Sequence, residues 1–322
     1  MTISTRLTRL LGCTHPVISA PMAFAAGGRL AAAVSGAGGL GLIGGGYGEA
    51  DWVRREFDAA GNAAVGCGFI TWNLERAVLE AALDRAPRAI MLSFGDPAPW
   101  SQAIHDAGAI LIAQVQTLEH AKSAVDAGAG IIVAQGAEAG GHGRRRATMT
   151  LVPEVADMLA QRAPDVVPVA AGGIADGRGL AAALMLGAEG VLVGSRLWAS
   201  EEALVHPDMH AAAVAADGDA TIRTSVMDVA RRLDWPEGYT ARVLRNAYTD
   251  RWHDDLEGLR QVAERESARY AKAWAEGDID VANTFVGEVA GLIRSIEPAA
   301  AIVEGIVAEA EARLARDWSG DD

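Results

Sequence analysis

The chain has 322 residues, half of them apolar and 22% charged, enough apolar surface for a large core and too much for disorder as the main state. Its formal net charge of −14 is repelled by phosphate backbones and acidic membrane surfaces, so neither nucleic acid nor membrane is an expected partner. Two cysteines, Cys13 and Cys67, make no disulfide framework, and the start MTISTRLTRLLGC holds no uninterrupted apolar leader. Together these point to the cytoplasm.

The first long apolar stretch, 17–46, is broken by Pro21, Arg29 and a run of glycines, which predicts a strand–helix–strand rather than a membrane span. Predicted strands follow in order at 17–20, 40–43, 64–69, 89–93, 110–115, 131–134, 166–170 and 191–193. They are continuously apolar, as parallel strands buried on both faces are. Helical patterns at 74–85, 117–127, 151–161 and 177–186 separate several of them. A literal G-x-G-x-x-G at Gly36, Gly38 and Gly41 follows a helix instead of opening one, so it is not read as a dinucleotide site. Residues 1–209 hold 29 of the 37 glycines but only half of the 70 charges, so the remainder is the more charged part per residue, as solvated helices require. There, helices are predicted at 227–233, 240–251, 256–276 and 279–289, and an amphipathic one at 298–316 with Ile302, Ile306 and Val307 as its stripe. Eight strand–helix repeats predict a TIM-type (β/α)8 barrel built from 1–209 and 289–322, with 210–288 as a helical cap inserted after the last strand. A doubly wound open sheet shares the same local grammar.

In such a barrel, ligands meet the C-terminal ends of the strands. The seventh and eighth predicted strands run into Gly172-Gly173 and Gly194-Ser195, where main-chain N–H groups can approach an anion without Cβ obstruction. This predicts a phosphate site. His142 alone among seven histidines lies in a glycine loop at a strand end, between Gly140-Gly141 and Gly143, and an imidazole there can take a proton near neutral pH. With no H-E-x-x-H and no C-x-x-C, a metal is not expected. The Arg144-Arg145-Arg146 run reads as a solvated face or as a lure for an anionic substrate. Trp72 and Phe94 could wall a ligand or belong to the core.

Several strings resemble the nitronate monooxygenase family: HPVISAPM at 15–22, GFITWN at 68–73, AQGAEAGGH at 134–142, AAGGIADG at 170–177 and GAEGVLVGSR at 187–196. The resemblance implies a barrel flavoprotein holding FMN without a covalent bond. Met22 would lie beside the flavin ring, and Asn73, Gln135 and Gly140 would touch the ring or its ribityl chain. Gly172, Gly173, Val193, Gly194 and Ser195 would hold the phosphate, and His142 would be the catalytic base. Implied partners are a small nitronate or nitroalkane and O2, giving a carbonyl compound and nitrite; separately, the charged 210–288 segment could form a lid or the interface of a homodimer. Two departures are Ser195, where relatives commonly carry Thr, and Gly143, which comes before the first arginine after His142. The alternatives are an FMN- and NADH-dependent enoyl-thioester reductase or another FMN oxidoreductase, and a non-catalytic phosphate-ligand-binding barrel.

Overall fold

The computed structural model describes residues 3–316, so 1–2 and 317–322 of the predicted barrel segments lie outside the described residues. Among the described residues eleven strands occur in chain order: β1 (Val17–Ser19), β2 (Leu42–Gly44), β3 (Gly66–Ile70), β4 (Ala89–Ser93), β5 (Ile110–Val115), β6 (Ile131–Gln135), β7 (Gly141–Gly143), β8 (Val167–Ala171), β9 (Val191–Val193), β10 (Thr221–Thr224) and β11 (Thr240–Leu244). Eight of them form one parallel sheet in the order β1-β9-β8-β6-β5-β4-β3-β2. Its two ends meet: Ile18 bridges Leu40 in parallel, with Ser19 N–H donating to Leu40 O and Leu40 N–H to Val17 O, both at 2.9 Å. The sheet is therefore a barrel and not an open doubly wound layer.

Strands that are apolar on both faces make two cores. Leu42, Met91, Ile112, Val133, Val169 and Leu192 fill the barrel interior, joined by Leu7 and Leu11 from the first helix. Their neighbours Ile43, Ile90, Leu92, Leu111, Ile132 and Val191 face outward onto the helices. The helix Ala299–Leu314 buries Ile302, Val303, Ile306, Val307 and Ala310 against the helix Gly177–Met185. A Cβ on Gly177 would stand 2.3 Å from Ala310 N, so that packing needs glycine. The rejected glycine motif does follow a helix instead of opening one, running from the end of the helix Gly28–Gly36 up to the residue before β2.

Between 210 and 288 the wholly helical expectation fails. Residues 240–251 begin with β11, and 279–289 is mostly irregular chain leading to a 3-10 turn at Glu288–Leu292. The 256–276 helix divides at Val262 into Leu256–Gln261 and Ala263–Glu276. The reason is a period of two that short, Arg- and Thr-rich runs conceal: Thr221-Ile222-Arg223-Thr224 and Thr240-Ala241-Arg242-Val243 each alternate half-exposed and buried positions. β10 and β11 pair antiparallel, and β11 pairs in turn with β7, placing Ala241 opposite His142. Among the described residues, no helix is long and apolar enough to cross a membrane.

Candidate active site

A cavity of about 630 Å³ opens at the C-terminal ends of the barrel strands. The barrel contributes Met22 after β1, Phe94 after β4, Gln135 at the end of β6, Gly140 to His142, Gly172-Gly173 after β8 and Gly194-Ser195 after β9. The downstream segment adds Arg231, Trp235, Ser267, Tyr270 and Trp274. A more open depression of about 340 Å³ adjoins it, sharing Glu138, Gly172, Gly173, Ile174 and Val289.

The glycine rims are under geometric demand. Gly172 and Gly173 hold φ of +95° and +77°, which L side chains rarely adopt. A Cβ on Gly172 would come within 2.9 Å of the Gly136 carbonyl, and one on Gly140 within 2.6 Å of Gly287 N. Ser195 Oγ accepts from Gly287 N–H at 2.8 Å, tying the β9 rim to the chain that returns to the barrel. Phe24 and Phe94, both on the cavity wall, also hold left-handed backbone, at +59° and +66°. That is uncommon for aromatic residues and concentrates strain at this end of the barrel.

His142 is 8% exposed and held on several sides. Its backbone lies in β7 against β11, and its carbonyl accepts from Gln135 Nε2 at 3.0 Å. Gln135 Oε1 accepts from Gln116 Nε2 at 2.9 Å, and the Tyr239 hydroxyl donates to Gln116 Oε1 at 3.3 Å. The ring Nε2 is 3.0 Å from each carboxylate oxygen of Asp228, itself 3% exposed. The Trp235 indole lies flat on the imidazole, centroids 3.4 Å apart and planes 6° from parallel. Burial pushes the imidazole below its ordinary pKa, the Asp228 carboxylate opposes that, and the Arg231 and Arg223 guanidiniums add to the lowering. The net direction favours a neutral imidazole, the form able to accept a proton.

Met22, Gln135, Gly140, His142, Gly172, Gly173, Gly194 and Ser195 all line the one cavity. Asn73 and Val193 do not: Asn73 Nδ2 donates to the backbone carbonyl of the wall residue Tyr47 at 2.5 Å, and Val193 is wholly buried, its carbonyl accepting from Ala20 N–H. Phe94 is on the wall, whereas Trp72 stands behind it, edge-on to Trp235 at 5.5 Å. Two arginines of the basic run are engaged: Arg144 lies over the Tyr239 ring and Arg146 pairs with Glu154. Among the described residues, no group of three or more His, Cys, Asp or Glu side chains is arranged to hold a metal. Sequence reading missed Asp228, Arg231, Trp235 and Tyr47. Asp228 is 86 positions from His142, and no spacing rule links the two.

Residues 4–65 and 70–309 match the family model described as nitronate monooxygenase. A nitronate monooxygenase of Neurospora crassa is 32% identical, the alignment covering 92% of this chain and 89% of that protein. Among solved structures, FabK from Thermotoga maritima is similar with a TM-score of 0.86 at 32% identity, covering 97% of this chain and 98% of the other. Nitroalkane oxidase from Streptomyces ansochromogenes is similar with a TM-score of 0.82 at 25% identity, covering 96% and 99%.

Proposed function

Since the chain belongs to the nitronate monooxygenase family and is thereby a flavin-dependent oxidoreductase, we propose that it binds FMN and oxidises small alkyl nitronates, and nitroalkanes after deprotonation, with O2 as co-substrate. The observation that carries this reading is one continuous cavity joining the glycine rims to a buried histidine paired with a carboxylate. The residues fit the cofactor. The Gly172-Gly173 and Gly194-Ser195 rims suit its phosphate, because a Cβ at Gly172 would crowd the neighbouring backbone. Met22, Gln135 and Gly140 would flank the ring and ribityl chain, with Asn73 acting through Tyr47 and Val193 through the backbone of β9. FMN bound there would supply the redox chemistry that turns a nitronate and O2 into a carbonyl compound and nitrite.

The protein's own residues bind the anion, move one proton and exclude water. Arg231 is the single Lys or Arg on the cavity wall among the described residues, its guanidinium 4.8 Å from the Tyr47 ring centroid and without an ion-pair partner within 4 Å. An anionic substrate supplies that missing counter-charge. Arg231→Met is therefore expected to raise KM for a nitronate by about tenfold, the scale of one charge-assisted hydrogen bond, with kcat little changed. Steady-state nitrite release over a nitronate titration reads this, and an unchanged KM contradicts it.

His142 takes the α-proton of a neutral nitroalkane, for which it must be unprotonated. Its lowered pKa keeps it so to below the ordinary value. The kcat/KM for a nitroalkane is expected to stay flat through neutrality and fall only below about pH 6.5; a limb above pH 7 in the pH–rate profile would speak against it.

The deciding assay is aerobic nitrite release from propionate 3-nitronate and from a nitroalkane, with a visible spectrum of the same sample. A yellow protein releasing nitrite supports the proposal. Anaerobic bleaching by NADH with turnover of an enoyl thioester and no nitrite would assign the reductase alternative, and colourless protein that takes up no FMN the non-catalytic barrel.

A further inference from the structure

The two nitrogens of the His142 ring have different surroundings. Nε2 is 3.0 Å from both oxygens of Asp228. An ionised carboxylate only accepts, so this nitrogen carries a hydrogen. Nδ1 has no hydrogen-bond partner and is not among the sealed-off polar atoms, and His142 lines the cavity.

We propose that Asp228 is the positioning residue of the reaction: it holds His142 as the Nε2–H tautomer, leaving the Nδ1 lone pair to accept the substrate's α-proton. In that step the C–H bond breaks, the proton passes to Nδ1, and the freed electron pair moves onto the nitro group, giving the nitronate. Asp228 then faces an imidazolium, whose charge it stabilises. The inference rests on the nitroalkane reading above, and it gives residues 210–288 a part in the chemistry.

The geometry is held through main chain. Asp228 lies in the helix Val226–Arg231 that follows β10, β10 pairs with β11, and β11 pairs with the strand that carries His142. Trp235 confines the ring to one plane from a centroid distance of 3.4 Å. The charged groups acting on the imidazole are Asp228 and Arg231 from that helix and Arg223 from β10, with the Tyr47 and Tyr239 phenols packed around Trp235. Both guanidiniums oppose protonation and the carboxylate alone favours it, so removing its charge should move the ring one way only, toward lower pKa.

The test compares Asp228→Asn and Asp228→Glu with the parent holoenzyme. Asp228→Asn keeps the shape but loses the charge and can present an N–H to Nε2, flipping the tautomer. Its kcat/KM for a neutral nitroalkane is expected to fall about 10²–10⁴-fold, with the preformed nitronate affected less than about tenfold. The acid limb of the remaining nitroalkane activity should move to lower pH. Asp228→Glu should restore part of the rate. In ¹⁵N-histidine-labelled protein, NMR should find Nε2–H in the parent and Nδ1–H in Asp228→Asn. Equal loss on both substrates, an unmoved pH limb, or Nδ1–H in the parent overturns the assignment. The parent's tautomer is read without substrate, so it decides even if Asp228→Asn does not fold. Nε2–H in a parent inert toward nitro compounds would retire the nitroalkane reading while leaving the Asp228–His142 tautomer lock standing.

Discussion

His142→Asn should lose about 10²–10⁴-fold of its turnover of a neutral nitroalkane, the usual contribution of a general base, while keeping most of its activity on the preformed nitronate. The two substrates make different demands on this position. A nitronate arrives already deprotonated and needs from this position only a polar neighbour, which the amide of asparagine provides. A nitroalkane needs the proton removed, and among the described residues no other side chain on the cavity wall is a buried histidine paired with a carboxylate. Stopped-flow measurement of flavin reduction with each substrate under anaerobic conditions separates the two cases. Equal losses would mean that His142 binds or shapes the site without accepting a proton, and would remove the reason for its lowered pKa to matter.

Gly172→Ala should release the flavin. The residue adopts φ +95°, and the added methyl would meet the Gly136 carbonyl at 2.9 Å, so the turn must reopen and its N–H groups turn away from the phosphate. Backbone strain of about 1–3 kcal/mol placed on the bound conformation corresponds to an FMN Kd raised about 10–100-fold. Gel filtration should then give a nearly colourless protein with an unchanged far-UV circular dichroism spectrum, regaining colour when FMN is titrated back. Gly61→Ala is the control: it has a comparable left-handed φ of +61° but open space around the added atom and no place on the cavity wall. It should cost stability without touching flavin retention. Full flavin occupancy in Gly172→Ala would move the phosphate away from this turn.

What could be read from sequence follows the physics of each element. β4, β5 and β9 match their predicted bounds, because a continuous apolar run closed by polar or glycine residues has few other places to go in a parallel barrel. The glycine rims were legible for a similar reason, since two glycine-containing strand ends side by side have little use except close approach. β7 was not: Gly141-His142-Gly143 has no strand propensity of its own and is extended only because β11 lies beside it. β11 was hidden in turn by its arginine and threonine, which read as a solvated helix until the burial alternation is seen. Asp228 and Trp235 carry no local signal at all. Their roles arise from tertiary folding, which brings the Val226–Arg231 helix and the loop after it onto a ring encoded far upstream.

The ladder between β7 and β11 has an evolutionary reading. On the function proposed above, the yellow coenzyme would be held mainly by the Gly172-Gly173 and Gly194-Ser195 rims, outside this ladder, whereas the basicity of His142 would be set by chain recruited across it. Drift in the recruited stretch would then retune which C–H bonds yield while the chassis kept its pigment, and lineages that exchanged only that stretch would share a colour and differ in diet.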